Sequence, residues 1–153
     1  MDKICVFFGH RKIIINNDLI DKLKALIVSL IENMGINVFL FGGYGQFDEL
    51  CNSIVKELQS TYTNLKRIYV RPYAECLPEM VLNAYRNSYD DCIYLPPRNS
   101  YGKLSILYRN YEMVDLANIV VFYINRKNGG AYMTYRYAKK KKVGIINIFN
   151  DLQ

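Results

Sequence analysis

Residues 119–124 read IVVFYI, an unbroken run of apolar and aromatic side chains. A run of this length suits a strand buried on both faces, because the strands of a parallel sheet are covered by helices on either side. Residues 4–8, which read ICVFF and precede Gly9, have the same character. These two runs predict strands of a parallel sheet that are buried on both faces.

Helical patterns alternate with short apolar runs along the rest of the chain. A first helix is predicted after residues 16–18, Asn-Asn-Asp, any of which can cap it, and it ends at Gly35. Its apolar residues recur every three or four positions, as in an amphipathic helix. The further predicted elements are strands at 36–41, 68–70, 92–95, 119–124 and 145–149, a helix with apolar residues from Phe47 to Leu58, helices at 104–116 and about 131–142, and an ambiguous segment at 73–86 with a short helix after Pro78 as one interpretation.

The alternation of strands and helices decides the fold class. Parallel strands need crossover connections, and helices usually supply them. We therefore expect a three-layer α/β/α sandwich with a mainly parallel sheet, which is a Rossmann-like fold. The length of 153 residues suits one domain, and no linker or repeat interrupts the pattern, so residues 1–153 are expected to form a single ligand-binding domain.

The composition excludes several classes of protein. Hydrophobic residues make up 51% of the chain, which is too many for intrinsic disorder. No apolar stretch reaches the roughly 20 residues of a membrane span, and residues 4–8 are too short and too early for a signal peptide, so we expect a cytoplasmic protein. Four scattered cysteines and one histidine favour reduced thiols over a zinc site, and we expect no metal and no cofactor.

The basic residues allow two interpretations. The formal charge is +6 at pH 7, and part of it comes from the run Lys139 to Lys142. Cations suit the C-terminal end of a helix, so this run fits a solvated helix end. A nucleic-acid surface needs basic residues spread over a face with stacking aromatic rings, which the 14 tyrosines of the chain can supply. The sequence favours the first interpretation.

Three predicted strands are followed by turns that suit a ligand. These turns are Gly9-His10-Arg11, then Gly42-Gly43-Tyr44-Gly45 with Gln46, Phe47, Asp48 and Glu49 after it, and finally Asn128-Gly129-Gly130 with Thr134 after it. Ligands bind beyond the carboxyl ends of parallel strands, so the three turns should converge on one edge of the sheet. Glycine admits close approach to the backbone, and N–H groups at a helix start favour an anion. The turns predict a cradle for phosphate or ribose.

Side chains beside these turns have candidate roles. Arg11 can pair with phosphate through its fork of donors. Asp48 and Glu49 can accept hydrogen bonds from ribose hydroxyls, act as a general base, or simply occupy the favourable first turn of a helix. His10 is as readily a structural residue as a functional one. The glycine spacing matches neither a dinucleotide fingerprint nor a phosphate-binding loop with lysine.

A second polar cluster precedes the strand at 119–124. Within the predicted helix 104–116, Arg109 and Asn110 can line the same cleft, with Asp115 further along. The alternative is a surface ion pair between Arg109 and Glu112, which share a helix face. The sequence leaves both possibilities open.

Four motifs in order along the chain resemble a known family. They are the opening strand with Gly-His-Arg, residues 42–49 (GGYGQFDE), residues 108–123 (YRNYEMVDLANIVVFY) and residues 128–142 (NGGAYMTYRYAKKKK). Together they are similar to the SLOG superfamily, and within it to the small YpsA-like, DUF1273-type proteins. The resemblance implies a Rossmann-like fold that binds nucleotides or nucleotide-derived ligands.

The resemblance also implies a set of pocket residues. By matching motifs, the pocket is expected to be framed by Gly9, His10, Arg11, Gly42, Gly43, Asp48, Arg109, Asn110, Asp115, Gly129, Gly130 and Thr134, to which the turns add Tyr44, Gly45 and Asn128. LOG relatives are phosphoribohydrolases with a signature similar to residues 41–49. In that comparison Glu49 takes the place of the catalytic acid, so Glu49 and Asp48 are the catalytic candidates if the protein is an enzyme.

Three functions follow as expectations. The leading one is a sensor or sequestering protein that binds a phosphate- and ribose-bearing ligand, such as an ADP-ribose-like signalling nucleotide. The first alternative is hydrolysis of an N-glycosidic bond, and the second is nucleic-acid binding through the basic C-terminal helix. We expect a nucleotide-derived small molecule as partner and a homodimer or higher homo-oligomer, with no membrane, and we regard nucleic acid as the weaker possibility.

Overall fold

A computed structural model describes residues 1–73, 78–96 and 104–149 of the chain. Within these ranges strands and helices alternate from one end to the other, as the sequence predicts. Their bounds, in chain order, are β1 Ile4–Gly9, α1 Asn17–Met34, β2 Val38–Phe41, α2 Gln46–Leu58, β3 Lys66–Arg71, α3 Glu79–Ser88, β4 Asp91–Tyr94, α4 Ser105–Leu116, β5 Ile119–Tyr123, α5 Gly130–Lys141 and β6 Gly144–Asn147.

The strands form one sheet in the order β4-β3-β2-β1-β5-β6, and every neighbouring pair is parallel. In the centre, Cys5 of β1 pairs with Phe39 of β2 on one side and with Ile119 of β5 on the other. The chain winds outward from β1 to β4 and then returns to the far side of β1. The winding therefore reverses between β1 and β5, which is where open α/β sheets bind ligands.

Side chains of the central strand alternate between two cores, one on each face of the sheet. Cys5 and Phe7 belong to the core that α1 and α2 cover, whereas Val6 and Phe8 belong to the core that α4 and α5 cover. All residues of β5 are buried. The expected α/β/α sandwich is confirmed, and the part of the sheet that the structure describes is parallel throughout.

The first helix begins and ends as its sequence predicts. Asn16 is the residue that caps it, because the Asn16 Oδ1 accepts a hydrogen bond from the Leu19 N–H at 2.8 Å. Gly35 follows the helix with φ 71°, a left-handed conformation that glycine adopts without strain. In the described ranges no helix has both the length and the apolar character that a membrane crossing requires.

Several predicted bounds differ from the observed ones. The second strand begins at Val38 rather than at residue 36, because the Ile36 N–H still bonds to the Leu30 carbonyl of the preceding helix at 3.1 Å. β3 is longer than predicted, since pairing with β2 begins at Lys66. The last strand ends at Asn147. The helix after Pro78 is present, while residues 74–77 of the ambiguous segment lie outside the described residues.

Candidate ligand-binding cleft

A cleft of about 280 Å³ opens where β1, β2 and β5 end. It lies at the reversal of winding, so its position is the one that the topology favours. Residues from all three predicted turns and from α4 meet in it, and the expected convergence on one edge is observed. The lining consists of Phe8, Gly9, His10, Arg11, Gly42, Tyr44, Asp48, Ile106, Arg109, Asn110, Arg126, Gly129, Gly130 and Ala131.

Two hydrogen bonds of Gln46 fix the turns after β1 and β2 to each other. The Gln46 N–H donates to the Arg11 carbonyl at 2.8 Å, and the Gln46 Oε1 accepts from the Ile13 N–H at 2.8 Å. Gly45 has φ 96°, and a Cβ on it would come within 2.8 Å of the Arg11 Cα. Only glycine fits there, so Gly45 supports the cleft from outside its lining, and Gln46 holds two walls of the cleft together.

His10 connects the ends of β1 and β5. Its backbone N–H donates to the Tyr123 carbonyl, and its Nε2 accepts from the Asn125 N–H, both at 3.3 Å. Burial and the positive charge of Arg126 lower the pKa of His10, so the imidazole is neutral at pH 7. His10 lines the cleft and also positions the loop that follows β5.

Asp48 points into the loop that precedes its own helix. Its carboxylate accepts the Tyr44 N–H at 3.3 Å and lies close to the backbone N–H groups of Gly42 and Gly43. The side chain is 4% exposed, and this burial raises its pKa to about 6 despite the nearby N–H groups and the Arg109 guanidinium. The glycine turn is therefore folded around an internal carboxylate that also lines the cleft.

Arg109 reaches under the same loop from α4. Its Nη1 donates to the carbonyls of Gly42 and Val70 at 3.0 and 2.9 Å, and its Nε donates to the Asn110 Oδ1 at 3.0 Å. A Cβ on Gly42 would lie 2.9 Å from the Arg109 Nη2, so the glycine makes room for the guanidinium. Arg109 is 2% exposed, and the possible surface pair with Glu112 is wrong for this residue.

Asn110 carries the connection onward to α5. Its Nδ2 donates to the Thr134 Oγ1 at 3.4 Å, and that hydroxyl donates to the Gly130 carbonyl at 2.9 Å. Thr134 is completely buried and lies beneath the turn rather than in the cleft lining. The chain of contacts from Arg109 to Gly130 therefore sets the position of the α5 N-terminus relative to the β2 turn.

Two exposed arginines stand at the cleft. The Arg11 guanidinium lies over the Tyr44 ring, 4.1 Å from its centroid, and the Arg11 Nη2 donates to the Tyr44 Oη. The Arg126 Nε donates to the Asn128 Oδ1 at 2.9 Å. Arg126 is not among the site residues predicted from the sequence, although its place just after the strand at 119–124 is a signal that can identify it.

The N-terminus of α5 forms the wall opposite the β2 turn. Gly129 precedes the helix with φ 90°, and no side chain caps the helix start. Gly129, Gly130 and Ala131 line the cleft, so the N–H groups of the first helical turn are available to a ligand there. This end of a helix carries partial positive charge, which adds to that of the two arginines.

The remaining predicted site residues lie around the cleft or away from it. Glu49 is exposed on α2 and is not part of the lining. Asp115 accepts a hydrogen bond from the Tyr137 Oη at 2.8 Å and lies 3.9 Å from the Lys141 Nζ, on the outer side of α4 and α5. Gly43, Gly45, Asn128 and Thr134 support the lining. Lining residues that the sequence analysis does not identify are Phe8, Ile106, Arg126 and Ala131.

Within the described ranges we find neither a cluster of metal ligands nor an activated thiol. Across 1–73, 78–96 and 104–149, no three His, Cys, Asp or Glu side chains are grouped to hold a metal ion. Cys5 and Cys51 are completely buried, and burial raises the pKa of both thiols. Cys92 is partly buried, with a raised pKa for the same reason. The fourth cysteine, Cys76, lies outside the described residues.

The fold is Rossmann-like, as comparison with solved structures shows. DNA processing protein A (DprA) from Streptococcus pneumoniae superposes with a TM-score of 0.66 at 15% identity, over 98% of this chain and 51% of that one. DprA from Helicobacter pylori, described by its single-stranded DNA binding mode, gives 0.67 at 16% identity, over 99% and 67%. The molybdenum cofactor carrier protein of Chlamydomonas reinhardtii gives 0.56 at 14% identity, over 95% and 76%.

These likenesses establish the fold alone. The chain spans about half of the S. pneumoniae protein and two thirds of the H. pylori protein. No protein-family model matches the sequence, and no curated protein is similar enough to be a relative. The expectation that nucleic acid is the weaker partner is not supported by these structures, two of which are of DNA processing proteins.

Proposed function

We propose that the protein binds a nucleotide-derived ligand through its phosphate and ribose groups, as a YpsA-like sensor or sequestering protein. The observation that carries this proposal is the meeting of Arg11, Arg126 and the uncapped α5 N-terminus in one cleft. Each of these groups binds anions by itself, and here all three border a volume of about 280 Å³.

The phosphate site lies between the two arginines and the start of α5. A guanidinium offers two parallel N–H donors to phosphate oxygens, and the helix start offers backbone N–H groups. Arg11 and Arg126 are exposed, so each can reorient toward a ligand. Arg109 is buried and occupied by carbonyl oxygens, and it positions the β2 turn.

The ribose site lies at the β2 turn. Asp48 lines the cleft, and its carboxylate faces the backbone N–H groups of Gly42, Gly43 and Tyr44. A carboxylate has about four acceptor sites, so capacity for one ribose hydroxyl remains. Gly9 and Gly42 line this region with backbone alone, and the space beside each is filled by a buried side chain: a Cβ on Gly9 would come within 2.6 Å of Phe47, and one on Gly42 would meet Arg109. A sugar therefore meets backbone and a carboxylate rather than bulky side chains.

Isothermal titration with AMP, ADP-ribose and cyclic ADP-ribose tests the proposal. We expect binding by at least one of them and a loss of about tenfold or more in Arg126→Ala, because a charge-assisted contact contributes about 1.5–3 kcal/mol. Arg136→Ala is the matched control, since Arg136 is an exposed arginine of α5 outside the cleft lining. Absence of binding by every ligand to the folded protein contradicts the proposal.

A second candidate function is cleavage of an N-glycosidic bond. Asp48 favours it, because a buried carboxylate with a pKa raised to about 6 in a cleft is typical of a catalytic group. Such a carboxylate stabilises positive charge that develops on the ribose as the base departs. Chromatography of AMP after long incubation detects the free base. Release that is lost in Asp48→Asn and kept in Glu49→Gln supports hydrolysis, whereas intact AMP supports binding alone.

A third candidate is binding of single-stranded nucleic acid on α5. The Lys139 and Lys141 ammonium groups each lie 5.2 Å from a tyrosine ring centroid, over Tyr135 and Tyr137 respectively. Cations beside aromatic rings are the usual chemistry of single-strand binding. Fluorescence anisotropy with an oligo-dT tests this candidate, and the affinity must fall as the salt concentration rises. The double variant Lys139→Gln/Lys140→Gln must bind more weakly than the control Lys56→Gln/Lys66→Gln, whose lysines are exposed elsewhere on the protein.

A further inference from the structure

Tyr44 presents an aromatic ring at the mouth of the cleft. The side chain is 45% exposed, although a tyrosine normally buries much of its ring. What covers it is the guanidinium of Arg11, which is itself exposed and can leave without opening the core. The ring face is therefore held by a planar, removable cation.

The backbone beneath this pair is rigid. The Arg11 carbonyl is fixed by the Gln46 N–H, and Gly45 packs directly against the Arg11 Cα. Gly43, with φ 69°, leaves no room for a Cβ because the Tyr69 ring would lie 2.5 Å away. Tyr44 thus extends from a turn that is held on both sides. A ring carried by a fixed backbone loses little conformational entropy when a ligand stacks on it.

We propose that Tyr44 is the stacking platform for the ligand's nucleobase, and that Arg11 is displaced from the ring onto the phosphate when the base binds. This inference rests on the proposed function, which it extends from phosphate and ribose to the base. The nucleobase has a planar π-face, like the guanidinium that it replaces on the Tyr44 ring. The freed Arg11 guanidinium then donates two parallel hydrogen bonds to phosphate oxygens, which suit its geometry.

The distribution of polar groups places the base at this end of the cleft. Arg126 and the α5 N-terminus define the anionic end of the ligand, and Asp48 lies at the β2 turn beside Tyr44. A nucleotide laid from phosphate to ribose therefore directs its base toward Tyr44. Stacking involves the face of the nucleobase and not its hydrogen-bonding edge. Tyr44 is therefore expected to favour nucleotides over sugar phosphates without a base, and not to discriminate between different bases.

The test compares ADP-ribose with ribose 5-phosphate by isothermal titration in Tyr44→Leu and Tyr44→Phe. Tyr44→Leu is expected to weaken ADP-ribose by about fivefold or more, as removal of a stacking ring does, and to change ribose 5-phosphate by less than about twofold. Tyr44→Phe keeps the ring and is expected to stay within about twofold for both ligands. Tyr62→Leu is the control, because Tyr62 lies beyond the C-terminal end of α2, at the opposite edge of the sheet.

A spectroscopic measurement separates stacking from general damage to the cleft. The emission of 1,N6-etheno-ADP-ribose at saturation is expected to be quenched by the wild type and by Tyr44→Phe, and not by Tyr44→Leu. Equal losses of ADP-ribose and ribose 5-phosphate affinity in Tyr44→Leu overturn the inference while leaving the proposed function intact. Failure of the wild type to bind either ligand overturns both.

Discussion

Two buried arginines, Arg67 and Arg109, lie at opposite edges of the same sheet. Arg67 is at the amino end of β3, where all three of its guanidinium nitrogens have partners: Gln59, Asn52 with the Ser88 carbonyl, and Asp90 at 3.2 Å. Arg109 is at the carboxyl edge and donates to backbone carbonyls and to Asn110 while lining a cleft. Arg67 is part of a hydrogen-bond network in which every guanidinium nitrogen has a partner, whereas Arg109 holds the β2 turn beside the cleft.

The difference shows that a buried arginine can stabilise the fold at one edge of the sheet and position the wall of a cleft at the other. At the amino edge a carboxylate neutralises the guanidinium directly, since Asp90 forms an ion pair with Arg67. At the carboxyl edge Asp48 interacts electrostatically with Arg109 but is held by backbone N–H groups, and the β2 turn that both side chains contact borders the cleft. Substitution of each arginine should therefore have a different signature.

Arg67→Met is expected to have the largest effect on stability. It removes the ion pair with Asp90 and leaves the Gln59 and Asn52 side-chain oxygens and the Ser88 carbonyl without their donor. Loss of several hydrogen bonds to one buried guanidinium costs about 3 kcal/mol or more. Urea denaturation followed by circular dichroism measures this loss. Affinity of the folded variant for ADP-ribose should match that of the wild type, and a parallel loss of affinity would show that the two edges are not independent.

Arg109→Met is expected to reduce both the free energy of unfolding and the affinity for ADP-ribose. Two carbonyls and Asn110 lose a donor, which costs about 2 kcal/mol of the free energy of unfolding. The β2 turn is then no longer held, so affinity for ADP-ribose should fall by about tenfold or more. The same denaturation and titration measurements apply. A destabilised variant with unchanged affinity would reduce Arg109 to a purely structural role like that of Arg67.

Asp48→Asn is expected to change the pH dependence of stability. The folded protein raises the pKa of Asp48 from 3.8 to about 6, so the folded state holds this proton more tightly than the unfolded state. The resulting stabilisation is present below about pH 4 and is lost as pH rises through about 6. The wild type should therefore lose about 2 kcal/mol relative to Asp48→Asn between pH 4 and 7.

Denaturation midpoints of the two proteins at several pH values measure this difference. Groups common to both, including His10, cancel in the comparison. Parallel curves across pH 4–7 would mean that Asp48 is solvated in the folded protein. The same measurements also test whether the two edges are independent. Arg67→Met should leave the pH dependence due to Asp48 unchanged, because Arg67 and its network lie away from the β2 turn.

The sequence predicted the sheet well because its decisive signals are local. The apolar runs at 4–8 and 119–124 and the caps Asn16 and Gly35 act within a few residues of themselves. The convergence of the three turns also followed, since parallel strands place their carboxyl ends at one edge. These features needed only periodicity and topology.

Side-chain direction could not be predicted in the same way. Asp48 and Glu49 are neighbours in the sequence, yet one is buried at the cleft and the other is exposed, because consecutive helical residues point about 100° apart and the start of α2 decides which faces inward. Whether Arg109 formed a surface pair or a buried anchor depended on how α4 packs on β1 and β3. Such contacts are set by the tertiary fold.

The position of the phosphate in a complex with ADP-ribose tests the central claim most directly. A crystal structure of that complex is expected to place phosphate oxygens within hydrogen-bond distance of Arg126 and of the N–H groups at the start of α5, with Arg11 turned from Tyr44 toward them. Phosphate bound instead beside Lys139 to Lys142, with the cleft unchanged, would contradict the account.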